Sequence, residues 1–453
     1  MEKNSKKILY GILGLSVLLR IAAAVMFGDQ VVNLPGTNDQ ISYHALALRV
    51  LGGHGFTFGE TWWPITAAEA PTAHWSFLYT GYLVFVYAIF GPHPLVARLI
   101  QAVLVGILQP LLTYWLGKRF FNSTVGLVSA AISAIYIYFF YYAATLMTEP
   151  FYITAILAVL ALSVTLMDRI TAHKPGEGRR EIFLNAALLG LVLGLTVLMR
   201  QVFMLFIPFL FLWMGWVLRK KGFWTLVGSG AIAGAIIVLM ILPFSLFNYS
   251  RFGRFVLLNT NAGYAFYLAN HPIYGTKFIP ILPAEMGTYQ DLIPVELRSL
   301  DEAALDTELM KAGLQFVVDN PGRYIQLSIS RIPAFFMFWP SSGSGTVSNI
   351  SRTASFGLFL PFMIYGVVLA LVSRKHRLRL SSASMITILF FGFYAAIHLL
   401  SWSLVRYRLP IDAVMLIFAG LALVNLYEHA LRLRPGKQRS TARKHAKHAA
   451  KHV

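Results

Sequence analysis

Residues 8–27 read ILYGILGLSVLLRIAAAVMF, and the next conspicuous stretch is Thr37-Asn38-Asp39-Gln40-Ile41-Ser42-Tyr43. The first matches the roughly 20 apolar residues that cross a bilayer core about 30 Å thick. Runs at 182–199, 201–218, 223–246, 356–372 and 404–426 approach or reach the same length. They lack the two-residue alternation of a membrane barrel. The chain has 453 residues, 57% hydrophobic and 13% charged, which is too little polar surface to coat a water-soluble globule of this size. The fold class that follows is all-α, a polytopic transmembrane helical bundle. Lys3, Lys6 and Lys7 precede the first run and no small-residue cleavage site follows it, the pattern of an uncleaved signal anchor.

The chain contains no cysteine, which excludes disulfides, thiol nucleophiles and zinc-thiolate sites. Its formal charge of +19 would suggest nucleic acid in a soluble protein. Here the Lys and Arg concentrate in short loops and in the tail, so no nucleic-acid partner is expected. Beyond Glu428 come eight Lys/Arg and no acid, a polybasic cytoplasmic segment suited to anionic membrane lipids. His445, His448 and His452 lie within it without a carboxylate to complete a metal site.

The basic loops at Lys118-Arg119, 174–180, Arg219-Lys220-Lys221 and 374–379 should share the tail's cytoplasmic side. That parity holds only if one apolar run before Leu95 does not cross. The shortest, 75–90, follows Pro64 and Pro71 and is expected to lie on the membrane or re-enter it. Residues 324–339 carry Arg331 and Pro333 and are expected to be interfacial. About ten to twelve spans result, with juxtamembrane helices in the first outer loop. The expected organisation is a catalytic transmembrane module at 1–246 with its first outer loop at 28–94, an outer loop at 247–353, C-terminal spans at 354–428 and a basic tail at 429–453. Within the long loop, Ser299-Leu300-Asp301-Glu302 is a capping-box pattern, and Leu305, Leu309, Ala312 and Phe316 repeat at helical spacing up to Asn320-Pro321-Gly322. It predicts an amphipathic helix on the membrane.

Nearly half of the 19 acids lie between Glu285 and Asp319, where they read as solvated loop charges. Asp39, Glu60, Glu69 and Glu149 instead fall at the outer ends of helices. Asp39 with Asn38 suits a helix cap as well as a catalytic carboxylate. Tyr43, one turn on, suits an interfacial anchor or a pocket wall. Glu149 between Thr148 and Pro150 favours a helix dipole. The basic counterparts are Arg200, Arg406 and Arg408. Any of them can snorkel, and Arg408 can pair with Asp412 one turn away. Guanidinium forks also match phosphate oxygens, which fits a lipid-phosphate substrate.

The motifs Asp39-Gln40-x-x-Tyr43-x-x-x-Ala47, Glu69-Ala70-Pro71 leading into Trp75–Tyr79, Ala97-Arg98-Leu99, Glu149, Leu198-Met199-Arg200, Asn248-Tyr249-x-x-x-Gly253 and Arg406-x-Arg408-x-Pro410 together resemble the GT-C glycosyltransferases. The branch they resemble is the bacterial one related to dolichyl-phosphate-mannose protein mannosyltransferases and the lipid A aminoarabinose transferase. The resemblance runs in order along nearly the whole chain. It implies a GT-C fold in the bacterial plasma (inner) membrane, with the active site facing outside or the periplasm. It implies an inverting transfer of sugar from a polyprenyl-phosphate donor to a glycolipid or protein acceptor. Asp39 would be the catalytic base and Glu149 the supporting acid. Arg200, Arg406 and Arg408 would bind phosphate, and Tyr43, His74 and Glu69 would line the substrate pocket. The family's catalytic Asp is often followed by Glu, whereas this chain has Gln40, so the second carboxylate's role passes to Glu149. The family's Pro-Pro stretch is altered too, since Pro71 lacks its twin and His74 is the nearest base.

No cofactor is certain. A carboxylate pair with outer-face access would suit a divalent cation, Mg²⁺ or Mn²⁺. The alternatives are a secondary transporter or flippase of a lipid-linked sugar, which needs ionisable groups deep in several spans, and a non-catalytic scaffold.

Overall fold

The computed structural model describes residues 2–173, 178–373, 379 and 382–433. Most of the tail and of the basic loops at 174–180 and 374–379 lies outside the described residues. In chain order the helices are α1 Glu2–Phe27, α2 Asp39–Leu51, α3 Phe77–Phe90, α4 Pro94–Phe120, α5 Ser123–Ile135, α6 Ile137–Ala143, α7 Glu149–Ala172, α8 Arg179–Met199 and α9 Ile207–Leu218. They continue with α10 Phe223–Phe252, α11 Ala262–Asn270, α12 Glu302–Asp319, α13 Pro321–Phe335, α14 Thr346–Arg352, α15 Leu358–Val372, α16 Met385–Leu400 and α17 Leu409–Leu433. Among the described residues β-pairing is limited to two isolated bridges, Thr57 with Pro71 and Trp62 with Thr66. The protein is an all-α integral membrane bundle.

Among the described residues eight helices are long and apolar enough to span, or nine if α5 and α6, bent by 55° at Tyr136, act as one. That is fewer than the ten to twelve expected. Two further apolar helices, α3 and α16, have only 14 and 16 residues. At 1.5 Å per residue α3 reaches about 21 Å, short of a bilayer core. The 324–339 region forms the end of α13, which is not among the apolar helices.

The spans pack around α7 and α17, whose apolar windows are 72% and 78% buried. One hydrophobic cluster joins α4, α5, α7, α8 and α9 to α15, α16 and α17. Close approach depends on glycine: a Cβ at Gly366 of α15 would stand 1.9 Å from the Phe418 carbonyl of α17. Small residues of this kind let helix backbones meet in a membrane. Arg408 and Asp412, one turn apart at the start of α17, are both fully buried. Arg408 Nε donates to Asp412 at 3.0 Å, Nη1 donates to the Phe335 and Met337 carbonyls, and Tyr136 donates its hydroxyl to Asp412 at 2.8 Å.

The loop at 247–353 corrects three expectations. The helix starting at Glu302 exists, but its cap is Asp301, which accepts from the Ala304 amide at 2.8 Å, rather than Ser299. Its apolar face does not lie on the membrane, because Leu305 and Leu309 pack against Tyr264, Tyr267 and Leu268 of α11. Nor are all of its acids solvated. Glu302 is buried and accepts from the hydroxyls of Thr66 and Thr260 and from the Ala73 amide at 2.7 Å, tying the long loop to the first one. Asp306 accepts from the Tyr264 amide at 3.0 Å.

Burial pushes the Asp306 carboxyl up to about 6, against the amide hydrogen bonds from Tyr264 and Gly263. An unfolded Asp releases its proton near pH 3.9. Between those values the folded state binds more protons, so this group's contribution to stability falls as pH rises. Asp306→Asn keeps an acceptor for the amide but carries no charge. Its melting-temperature advantage over the parent should grow from about pH 4 to about pH 6.5 and then level off. A pH-independent difference would contradict the assignment. For the Arg408–Asp412 pair, Arg408→Met should cost about 3–5 kcal/mol by stranding a buried charge. Adding Asp412→Asn should recover most of that loss in thermal unfolding, and a double variant as unstable as the single one would exclude charge pairing.

Candidate active site

Four chain segments converge at one end of the bundle. Asp39 is the first residue of α2, and Glu149 is the first of α7. Arg200 adopts an extended conformation where α8 stops, and Arg406 lies in a 3-10 turn, Val405–Arg408, that leads into α17. Each segment has a local cause. The Thr148-Glu149-Pro150 sequence starts α7 with proline in its first turn, where a missing amide costs nothing and an acid meets the positive end of the dipole. Gly36 shapes the approach to α2: its φ is +74°, and a Cβ there would stand 2.7 Å from the Tyr142 hydroxyl. That leaves the Gly36 carbonyl to accept from Arg406 at 3.3 Å.

The charges form an alternating row. Asp39 Oδ2 lies 2.9 Å from Arg406 Nη1, Arg406 Nε lies 3.9 Å from Glu149 Oε1, and Glu149 Oε1 lies 2.5 Å from Arg200 Nη2. Arg200 Nε also donates to Thr148 Oγ1 at 2.9 Å. Glu149 is 1% exposed and Asp39 26%, so the row opens toward Asp39. The Asn38 side chain makes no cap, and Asp39 faces Arg406. Tyr407 lies 5.5 Å from the Arg200 guanidinium and 5.3 Å from that of Arg406, and it stacks on His398. It holds the two cations on one aromatic platform.

Tyr43 is buried edge-on to Trp75 and Tyr79, and its hydroxyl accepts weakly from the Ser76 amide at 3.4 Å. Burial first, and then Asp39, raise the Tyr43 phenol above its ordinary range. His74 packs on Trp75 and Tyr264 with its buried Nδ1 unpartnered. Burial lowers its imidazole below the usual value, against the pull of Glu302 and Asp39. Both residues therefore sit near the charged row in their neutral forms. Two expected members are elsewhere. Glu69 pairs with Arg49 in the last turn of α2; ten residues of helix separate Arg49 from Asp39, about 15 Å. Arg408 is sealed within the bundle against Asp412.

Among the described residues no three His, Asp or Glu side chains group as metal ligands. Both site carboxylates are already engaged by guanidinium groups, so the donor set does not fit a resident Mg²⁺ or Mn²⁺. Tyr407 was not singled out in the sequence, although its place between two arginines was visible there. Arg98 and Gln40 carry no sequence signal that links them: Arg98 donates to Gln40 Oε1 at 3.2 Å and to the Gly28 and Gln30 carbonyls, fixing the loop at 28–94. Beyond Arg200, an apolar groove of about 340 Å³ runs between α9 and α16, lined by Phe206, Phe209, Trp213, Leu389 and Phe393.

At the far end of α7, Arg119 pairs bidentately with Asp168, and Lys221 donates to the Thr171 carbonyl. The 24 residues of α7 thus separate the charged row from a basic end of the bundle, by about 36 Å.

No protein-family model matches the chain, and no curated protein matches it by sequence. Among solved structures it is similar to the archaeal oligosaccharyltransferase AglB from Archaeoglobus fulgidus in complex with an inhibitory peptide and a dolichol-phosphate. That alignment has a TM-score of 0.58 and 16% identity, covering 94% of this chain and 51% of the other. The apo form of the A. fulgidus oligosaccharyltransferase gives 0.59 and 17%, with coverages of 94% and 51%. ArnT from Cupriavidus metallidurans bound to undecaprenyl phosphate aligns at 0.42 and 13%, over 91% and 77%. The chain spans about half the length of the oligosaccharyltransferase structures it matches. At these identities the likeness is one of architecture alone, that of the helical membrane part of the oligosaccharyltransferase structures.

Proposed function

We infer that the protein is an inverting glycosyltransferase that moves a sugar from a polyprenyl-phosphate donor to a hydroxyl acceptor on a glycolipid or protein. Its place is the bacterial plasma membrane with the charged row facing outside or the periplasm, as the basic opposite end supports. The observation that carries the reading is the row Asp39–Arg406–Glu149–Arg200. A glycosyl phosphate already has a good leaving group, so transfer needs a base for the acceptor and cations for the departing oxygen. Asp39, the more exposed carboxylate, takes the acceptor proton while the acceptor oxygen attacks the anomeric carbon in line. Arg200 and Arg406 stabilise the leaving phosphate through charge-assisted hydrogen bonds. Glu149 holds the Arg200 guanidinium in place and faces Arg406 at 3.9 Å, and Arg408 takes no part. Tyr43 and His74, uncharged and beside Trp75, suit the walls of a sugar pocket.

The dolichol-phosphate named in the AglB structure supports a lipid-phosphate carrier here, and the apolar groove beyond Arg200 suits an isoprenoid chain. The transporter alternative requires deep ionisable groups free to exchange partners. The buried arginines are held by fixed neighbours, Arg408 by Asp412 and Arg20 by Ser16, Gln109 and Ala134, which leaves His398 as the deep ionisable group with an unpartnered ring nitrogen among the three.

In detergent, with no membrane gradient, purified protein should transfer sugar from a polyprenyl-phosphate donor. Asp39→Asn should lower kcat by about 10²–10⁴-fold, the usual worth of a general base, while a cooperative melting curve shows the protein still folded. Arg200→Gln should also raise KM for the donor. Undiminished turnover in Asp39→Asn would refute the assignment.

A further inference from the structure

The geometry points to Arg406 as a counter-ion shared between the base and the leaving group, so that Asp39 and the donor phosphate compete for one guanidinium until Asp39 is protonated. This rests on the functional reading above. The two cations of the row are held differently. Arg200 is saturated from one side, by Glu149 at 2.5 Å and Thr148 at 2.9 Å. Arg406 is held by Asp39 at 2.9 Å and weakly by the Gly36 carbonyl at 3.3 Å, and its buried Nε has no hydrogen-bond partner. Glu149 is too distant from that Nε, at 3.9 Å, to bond it. Arg406 therefore has both an engaged face and an unsatisfied one.

The charge that moves during transfer fits that arrangement. As the acceptor oxygen bonds to the anomeric carbon, its proton passes to the Asp39 carboxylate. The bond from that carbon to the phosphate oxygen breaks, and its electron pair leaves on the phosphate. Asp39 goes from −1 to neutral while the phosphodiester, at −1, becomes a monoester approaching −2. The negative charge lost beside Arg406 reappears on the leaving group, and a guanidinium within reach of both keeps a partner throughout. Tyr407, 5.3 Å from the Arg406 guanidinium, offers it an aromatic face beside both partners. At rest the Asp39 carboxylate is engaged by Arg406 until a phosphate draws the guanidinium away.

The consequence runs against the usual expectation for a catalytic residue. Asp39→Asn mimics the protonated, post-transfer state and removes the competing anion, so it should bind a polyprenyl monophosphate more tightly. The probe is farnesyl phosphate, titrated calorimetrically at about pH 8, where the monoester is a dianion, into full-length protein in detergent. Asp39→Asn should bind about tenfold more tightly than the parent, the scale of one charge-assisted hydrogen bond released from competition. Adding Arg406→Gln should abolish the gain, and Arg200→Gln should weaken binding in either background. Melting curves check folding, and Asp39→Ala supplies the same comparison if the Asn variant is unstable. If Asp39→Asn and Asp39→Ala bind no more tightly while both arginine variants bind less, counter-ion sharing is wrong and the glycosyltransferase reading stands. If neither arginine variant alters binding, the phosphate site itself is misplaced.

Discussion

A guanidinium at the rim of a membrane bundle cannot give up its proton and is expensive to desolvate alone, so it must be met by an anion. Arg406 and Arg200 impose that requirement here, and Asp39 and Glu149 meet it from the first residues of two helices. The row is neutral overall, which lets it stay folded without substrate. It is also built from helix ends, where backbone dipoles already favour anions. An arriving phosphate can thus be received by cations and helix amides assembled for carboxylates. Folding and the proposed phosphate recognition place the same electrostatic demand on these residues.

The split between Arg406 and Arg408 shows how local geometry assigns their roles. Both lie in the 3-10 turn Val405–Arg408. At about three residues per turn, positions two apart point about 120° away from each other. Arg406 therefore meets Asp39 and Glu149, while Arg408 turns into the bundle beneath Phe356, 3.5 Å from the ring centroid. With Arg408 fixed by Asp412 and two carbonyls, the start of α17 is anchored, and Tyr407 between them is held as the platform for the two site cations. The buried pair does its work by fixing that turn.

The spans were legible because a bilayer demands long apolar helices, and composition alone reveals them. The convergence of Asp39, Glu149, Arg200 and Arg406 was legible for a related reason. Charged residues at the ends of apolar runs are confined to one membrane face, so few partners are available to them. What escaped the sequence depends on distant contacts. Nothing around Glu69 announces Arg49, and nothing around Glu302 announces Thr66, Ala73 and Thr260 from other segments. The spacing of apolar residues marks the helix 302–319 as amphipathic, but which surface covers it is not encoded locally. The span count is lower than expected because α16 is apolar yet short and α5 and α6 are bent by 55° at their junction, distinctions that hydropathy blurs.

Gln40 carries the argument furthest, because it stands where the resembled family often has a second acid. Its side chain is wholly buried. The amide nitrogen donates to the Val32 carbonyl at 2.6 Å and to Thr37 at 3.2 Å, while the oxygen accepts from Arg98 and from the Leu146 amide. A carboxylate at that position would set an oxygen against the Val32 carbonyl, replacing a donor with a repulsion in a buried site. The amide is what this loop requires, and it holds the segment that presents Asp39. A second negative charge for the row must then come from elsewhere in the fold, and Glu149, seated between two arginines, supplies it. The departure at position 40 and the burial of Glu149 are two parts of one electrostatic solution.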